Sequence, residues 1–417
     1  MDGEFTAGAV PLTFGDHYVS RLSAGVADDS HMHLGVAVRL PGSPPVPDDL
    51  HRLIAETVRT RAPALAYRLT GQGRRARWEP DPAFDPAYHI EYHRLPRGED
   101  VHQAVMEAMR IRPLSRERPL WSLMLLHGHA DEAHILCYRA HHVFQDGMGA
   151  VGALRALLGA ETLPVPSAGI GSVAPSGGAR RALADLRRLA GAPPRWFATC
   201  ASGTSDRRLH VVSLDSASFR DISRVTGASV AQIGITLVAG ALRSWNPRPW
   251  ARRGDFVIAL PVGLRGHRQH AGLGNHTGLL PVALPCGEPS AMIRLRRILD
   301  QTTIRRIGLA RQAAREMYGV SPALAVPALR FLSPLFRKGS ARGFNVTTVP
   351  WPMTASSATE VFAIPPLAPG VAGMIAFVPA GPTVSFSGVF DARVSRSEQL
   401  LDLLRQELTE LHALATR

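Results

Sequence analysis

Lysine is almost missing from this chain of 417 residues. Lys338 is the only one among 47 basic residues, so arginine carries nearly all of a formal net charge of +13. With 38 glycines and 33 prolines alongside, that skew matches the codon usage of a GC-rich genome. The dense basic runs with interleaved aromatics that single-strand binders need are also lacking, and nucleic acid is not an expected partner. A basic surface of this kind suits anionic lipid, a phosphorylated co-substrate or an acidic carrier protein better. Cysteine is scarce: Cys137, Cys200 and Cys286 lie far apart with no CxxC pair. That pattern fits reduced, buried thiols, not a disulfide framework or a zinc site. Long apolar runs are missing as well. The greasiest stretch, 320–336, is interrupted by Pro322, Pro327 and Pro334, which makes it a poor membrane span. Met1-Asp2-Gly3-Glu4 is acidic where a signal peptide needs positive charge. A cytoplasmic protein is therefore expected, with peripheral attachment to a membrane as a further option.

What is present is enough apolar material for two cores. Hydrophobic residues make up 45% of the chain, and its length suits two domains of roughly 200 residues each. The uncharged Pro/Gly/Ser stretch 163–178 reads as a linker. It is followed by an arginine-bearing helical pattern at 179–189, closed by Gly191 and Pro193-Pro194. The expected division is 1–162, a linker and connecting helix at 163–206, and 207–417. In the first block 32–40 and 134–142 read as strands, and 50–61 and 101–111 as helices. In the second, strands are expected at 209–214, 256–261, 278–284, 373–378 and 383–390, with helices at 230–245, 291–317 and 397–414. Each block mixes both element types and reads as an α/β sandwich.

One segment carries chemistry. His141-His142-Val143-Phe144-Gln145-Asp146-Gly147 begins at the end of a predicted strand and runs into an apolar helix at 149–158. Adjacent strand residues point to opposite faces, so only one of the two histidines can face a given cleft. A neutral imidazole is the best available general base near pH 7. Asp146 is placed to accept turn amides and to pair with an arginine, and Gly147 permits a tight turn or a close backbone approach. Three other readings compete with this one. Metal ligation is disfavoured because ligand pairs normally share one face. A structural histidine pair at a strand end is a second alternative. A nucleophilic triad has no GxSxG elbow to support it.

The segment HHVFQDG resembles the HHxxxDG motif of condensation-type acyltransferases. More specifically, the chain is similar to the bacterial wax ester synthase/diacylglycerol acyltransferase family. The supporting residues are Pro11-Leu12-Thr13 through Asp16, Met32-His33-Leu34-Gly35, Trp78, Phe84-Asp85, His89, the segment Pro113 to Trp121, Pro261-Val262-Gly263-Leu264-Arg265, and Gly274-Asn275. The resemblance implies two chloramphenicol-acetyltransferase-like sandwich domains forming a pseudodimer, with the catalytic histidine at their interface. It implies His142 as the general base, acyl-CoA as donor, and a hydrophobic alcohol or diacylglycerol as acceptor. No cofactor or metal is expected beyond the thioester co-substrate.

Around that base, His141, Asp146 and Gly147 complete the expected catalytic set, and Gln145, Arg265 and Asn275 are candidate substrate-binding residues. Amides near Gly147 or the Asn275 side chain are the candidate oxyanion donors. Arg265 is the candidate partner of Asp146. Trp121 is expected in the core, and the arginines at 294, 296, 297, 305, 306 and 311 on the solvated face of one long helix. Two departures stand out. Ala231-Gln232 replaces the family's Asn-Asp, and the late motif survives only as Asn345 to Pro350. They support an alternative: a natural-product tailoring or condensation enzyme that makes an ester or amide from a CoA- or carrier-bound acyl group, with an alcohol or amine acceptor. On that reading long-chain alcohols and diacylglycerol should be handled poorly. A carrier-docking homologue without activity is the third option, against which intact His142 and Asp146 argue.

Overall fold

The structure, a computed structural model, describes residues 8–23, 29–163, 178–189, 206–246, 255–264, 272–319, 327, 343–351, 358–368 and 371–417. Cys200, Arg265, most of the linker and nearly all of 320–336 lie outside the described residues. The first half runs β1 (Val10–Pro11), α1 (Phe14–Ser23), β2 (His33–Pro41), α2 (Pro47–Thr60), β3 (Tyr67–Thr70), β4 (Arg77–Pro80) and β5 (Ile90–Arg94). It continues through α3 (Val101–Ile111), β6 (Trp121–Ala130), β7 (Ala133–His141) and α4 (Gly147–Leu157) to α5 (Gly178–Leu189). The second half opens with β8 (Arg207–Asp215), α6 (Ser216–Thr226), α7 (Val230–Trp245), β9 (Phe256–Gly263) and β10 (Thr277–Leu284). Then come α8 (Ala291–Gln301), α9 (Ile304–Tyr318), β11 (Phe344–Thr348), β12 (Glu360–Ile364), β13 (Gly373–Ala380), β14 (Thr383–Asp391) and α10 (Ser397–Ala415).

The strand that matters most is β7. Its sequence, AHILCYRAH, is buried on both faces from His134 to His141, as expected of a central strand with layers on either side. It pairs antiparallel with β2, with His141 opposite His33, and with β6, with Ala140 opposite Trp121. The full sheet is ordered β12-β2-β7-β6-β5, and a second sheet is ordered β11-β13-β14-β8. Strand β12 comes from the second half, yet it pairs with β2 of the first, Phe362 opposite Ala37. The hydroxyl of Ser387 on β14 donates to the Ala363 carbonyl, tying that borrowed strand back to its own half. A shared apolar cluster covers the join: Val105, Met109 and Cys137 pack with Leu209, Phe362 and Val389.

Trp121 is a core residue, as expected. It is stacked on His89 at 4.4 Å between ring centroids, and its indole donates to the Leu65 carbonyl at 2.8 Å. Cys137 and Cys286 are free and buried.

Two expectations need correcting. The helix expected over 291–317 is two helices, because Thr302 and Thr303 interrupt it. The Thr302 hydroxyl turns back to the Ile298 carbonyl at 2.7 Å, and the Thr303 hydroxyl accepts the Arg306 amide at 3.3 Å as the cap of α9. Short hydroxylated side chains compete in this way for backbone groups and favour helix ends over helix interiors. The second correction concerns Arg294, which does not lie on a solvated face. It is buried and ion-paired with Glu407 of α10, and Gly240 of α7 leaves the space that the pair fills. Arg296, Arg297, Arg305, Arg306 and Arg311 are exposed as expected.

Among the described residues no single helix is long and apolar enough to cross a membrane. The α6–α7 pair passes by length and composition, but it bends by 105° and α7 is buried from Ile233 to Leu242.

Candidate active site

Register places the two histidines of the motif in opposite surroundings. The His141 amide donates to the Leu120 carbonyl at 2.9 Å, and the His142 amide donates to Met32 at 2.8 Å, so both ends of this step are fixed by backbone. The His141 ring is buried. Its Nδ1 accepts the Val143 amide at 3.0 Å, and therefore Nε2 carries the proton. That Nε2 lies 3.3 Å from the Asp29 carboxylate, which Arg116 also holds at 2.7 Å. His141 and then Arg116 keep the Asp29 carboxyl far below the usual carboxylate range, against its own partial burial. Burial pushes the His141 pKa below the ordinary imidazole value despite Asp29. His141 is therefore a neutral pin that holds the turn.

His142 faces the other way, into a cavity of about 370 Å³. The lining is predominantly apolar and comes from both halves: Phe14, Tyr18 and Leu34 on one side, Ala259, Ala314 and Met374 on the other. Burial lowers the pKa of His142. Its own carbonyl, the charge of Asp146, the Gln145 carbonyl and the Asn275 side chain push in the opposite direction. The net result is an imidazole that is neutral at pH 7 and able to accept a proton. Nδ1 is buried, which leaves Nε2 as the nitrogen open to the cavity.

Asp146 caps α4. One oxygen accepts the Gly149 amide at 2.9 Å, and the other accepts the His276 amide at 2.9 Å and the Thr277 hydroxyl at 3.2 Å. The carboxylate thus joins the histidine turn to the start of β10, across the two halves. Gly147 lines the cavity, but not for the reason expected: its φ is not positive, and among the described residues an added Cβ would meet only Val349 at 3.5 Å.

Two expected substrate contacts have other work. Gln145 is buried: it accepts the Tyr138 hydroxyl at 2.7 Å and donates to the Gly272 carbonyl at 3.3 Å, and it does not line the cavity. It locks β7 to the segment carrying Gly274. Asn275 does line the cavity, but its amide nitrogen donates to Asp16 at 3.0 Å, to the His142 carbonyl at 2.8 Å and to the Val143 carbonyl at 3.3 Å. With its two hydrogens so engaged, it is not an oxyanion donor.

Sequence reasoning left several site residues without a role. Asp16 was noted only as part of a pattern, and Asp29, Arg116 and Tyr318 were not singled out. Asp16 and Asn275 are 259 positions apart, so no local pattern could have joined them. Tyr318 ends α9 with its hydroxyl on the Thr277 carbonyl at 3.1 Å.

With the geometry in place, comparison with known proteins decides the family. Residues 23–233 match the wax ester synthase/diacylglycerol acyltransferase catalytic domain. The chain belongs to this family. A Mycobacterium tuberculosis (strain H37Rv) protein named as a diacylglycerol O-acyltransferase is 22% identical over 389 residues, covering 81% of this chain and 79% of that one. The fold also matches the wax ester synthase/diacylglycerol acyltransferase from Marinobacter aquaeolei VT8, with a TM-score of 0.63 at 20% identity, over 98% of this chain and 100% of that one. The first condensation domain of the calcium-dependent antibiotic synthetase matches with a TM-score of 0.67 at 18% identity, over 98% and 97%. The two-lobed acyltransferase fold expected from the motif is therefore present, and the chain is an acyltransferase.

Within the family, the departure at Ala231-Gln232 lies away from the chemistry. Ser229 and Gln232 form a capping box at the start of α7, and the Gln232 amide donates to the Thr302 hydroxyl at 2.9 Å. Neither Ala231 nor Gln232 lines the cavity. The change locks α7 against the α8–α9 break and gives no reason for a different acceptor. Asn345 of the altered late motif does line the cavity.

Proposed function

We propose that this protein transfers an acyl group from acyl-CoA to a hydrophobic alcohol or to diacylglycerol, with His142 as general base. The observation that carries this reading is the opposed placement of two adjacent imidazoles. His141 is buried and hydrogen-bonded as a pin, while His142 opens onto an apolar cavity shared by both halves.

The acceptor oxygen attacks the thioester carbonyl carbon as His142 Nε2 takes its proton. The oxyanion collapses, the carbon–sulfur bond breaks, and the proton passes from Nε2 to the departing thiolate, releasing CoA. Direct attack needs no acyl-enzyme and therefore no serine or cysteine nucleophile. With Asn275 engaged elsewhere, the amide of Gly147 at the start of α4 is the remaining candidate donor to the oxyanion. The apolar lining suits a long-chain acyl group and a hydrophobic acceptor.

The test supplies palmitoyl-CoA with hexadecanol or dipalmitoylglycerol and measures product by mass spectrometry. Turnover on the order of 1–10³ per second with either acceptor supports the assignment. Product formed only from small polar alcohols or amines, with no wax ester or triacylglycerol, overturns it and restores the tailoring alternative.

A further inference from the structure

Helix α5 forms part of the cavity wall, and its charge is lopsided. Arg180, Arg181, Arg187 and Arg188 stand against a single acid, Asp185. Asp185 and Leu189 line the cavity. Arg181 comes four residues before Asp185 and Arg188 three after it, so all three share one face of the helix. Both arginines are exposed. The first turn of α5 is pressed against α9: a Cβ on Gly178 would lie 2.6 Å from the Glu316 carboxylate and 2.9 Å from Ala313 Cα. On α9, Ala310, Ala314 and Met317 line the same cavity. Arg306 precedes Ala310 by one turn on that face, and its exposed guanidinium donates to the Asp300 carbonyl at 3.5 Å. Burial pushes the Asp185 carboxyl above the usual carboxylate range, and the charges of Arg188, Arg181 and Arg306 oppose it. Three guanidinium groups from two helices thus gather around this carboxylate at one edge of the cavity. We propose that Arg181, Arg188 and Arg306 form a phosphate-binding rim that receives the nucleotide phosphates of the acyl-CoA donor.

This inference rests on acyl-CoA being the donor. Within that reading one cavity must serve two chemically unlike substrates. An alcohol or diacylglycerol acceptor is uncharged and gains nothing from guanidinium groups. The donor is apolar at its acyl end and carries a diphosphate and a 3′-phosphate at the other. Guanidinium groups match phosphate oxygens with paired N–H donors. Cations beside an opening also raise the local concentration of an anion. Phosphates held at the rim leave the neutral pantetheine arm to carry the thioester along the apolar wall of α9 toward His142. Asp185 works against them, because its negative charge beside the rim repels phosphate. The rim therefore contains both signs of evidence: removing its arginines weakens donor binding, and neutralising Asp185 strengthens it.

The test measures kcat and the KM values for palmitoyl-CoA and hexadecanol in the wild type, Arg181→Ala/Arg188→Ala, Arg306→Ala and Asp185→Asn. Arg296→Ala is the control, an exposed arginine on α8, a helix that does not line the cavity. In the double variant KM for palmitoyl-CoA should rise about 3–10-fold, the scale of exposed charge pairs, while kcat and KM for hexadecanol hold. Arg306→Ala should shift it in the same direction, Asp185→Asn in the opposite one, and Arg296→Ala not at all. Added salt should weaken the wild type toward the double variant. Palmitoyl-pantetheine, which lacks the phosphates, should serve the wild type and the double variant equally poorly. An unchanged KM for palmitoyl-CoA in the double variant overturns the proposal, as does an equal defect with palmitoyl-pantetheine. A defect confined to a palmitoyl-carrier-protein donor overturns it in favour of a docked carrier. If the wild type uses no CoA thioester at all, the donor reading fails, and calorimetry with CoA alone still decides the rim. Binding weakened in the double variant supports it; equal binding, or none to the wild type, overturns it.

Discussion

At the scale of single residues, one peptide step separates two imidazoles with different tasks. His142→Ala is expected to lower kcat by 10²–10⁴-fold, the usual cost of losing a general base. His141→Ala should keep measurable turnover while melting at a lower temperature, because the Val143 amide loses its acceptor and Asp29 one of its two partners. Steady-state kinetics and thermal melting of the two variants check this, and near wild-type turnover in His142→Ala would contradict it. The pH dependence follows from the sign of the shift at His142. Its pKa is lowered from 6.5 by burial, so the ring stays neutral, and active, to more acidic pH than an exposed histidine would. The acid limb of kcat/KM should therefore lie below pH 6.5 and disappear in His142→Ala. A limb centred above that value would mean that another group is titrating.

Among the elements, α4 and the α8–α10 packing make contrasting predictions. Asp146 caps α4 with one oxygen and holds the start of β10 with the other. Asp146→Asn keeps one acceptor and turns an NH₂ against either the Gly149 or the His276 amide. Hydrogen bonds to a charged group are worth about 1.5–3 kcal/mol, so denaturant unfolding should show a loss of that order, with activity falling as the turn loosens. Unchanged stability with activity abolished would make Asp146 a direct participant in the chemistry. Arg294→Ala is the counterpart without a catalytic effect. It leaves Glu407 buried without its cation, a change that costs about 3–5 kcal/mol. The protein that remains folded should turn over at the wild-type rate, since this pair lies outside the cavity.

For the molecule as a whole, β12 makes the two halves depend on each other. Phe362 is fully buried in the cluster drawn from both halves, with its ring edge-on to His102 at 5.0 Å. Phe362→Ala should cost about 3–5 kcal/mol and lower the stability of the entire chain in one transition. Calorimetry that shows one half melting early while the other keeps its wild-type transition would refute a shared core. The cavity is built across the same join, from α1 and β2 on one side and β9, β10 and α9 on the other. The cavity is thus formed only where both halves are in place.

Local information was enough for much of this. HHVFQDG at the end of an apolar strand pointed to a candidate base, and period-2 alternation allowed only one of its histidines to reach a cleft, because side-chain direction along a strand is a local property. Helix α3 and helix α7 were legible to the residue for a similar reason: caps and apolar period are local. The break at Thr302 was missed because a long apolar period outweighs two threonines until their hydroxyls find backbone partners. Arg294 was misplaced because nothing in its own helix announces Glu407, 113 positions away. The roles of Gln145 and Asn275 were likewise decided by partners from other segments. A polar side chain is functional or structural according to which groups the fold brings within hydrogen-bond reach of it, and for Asn275 that group is a carboxylate 259 residues earlier in the chain.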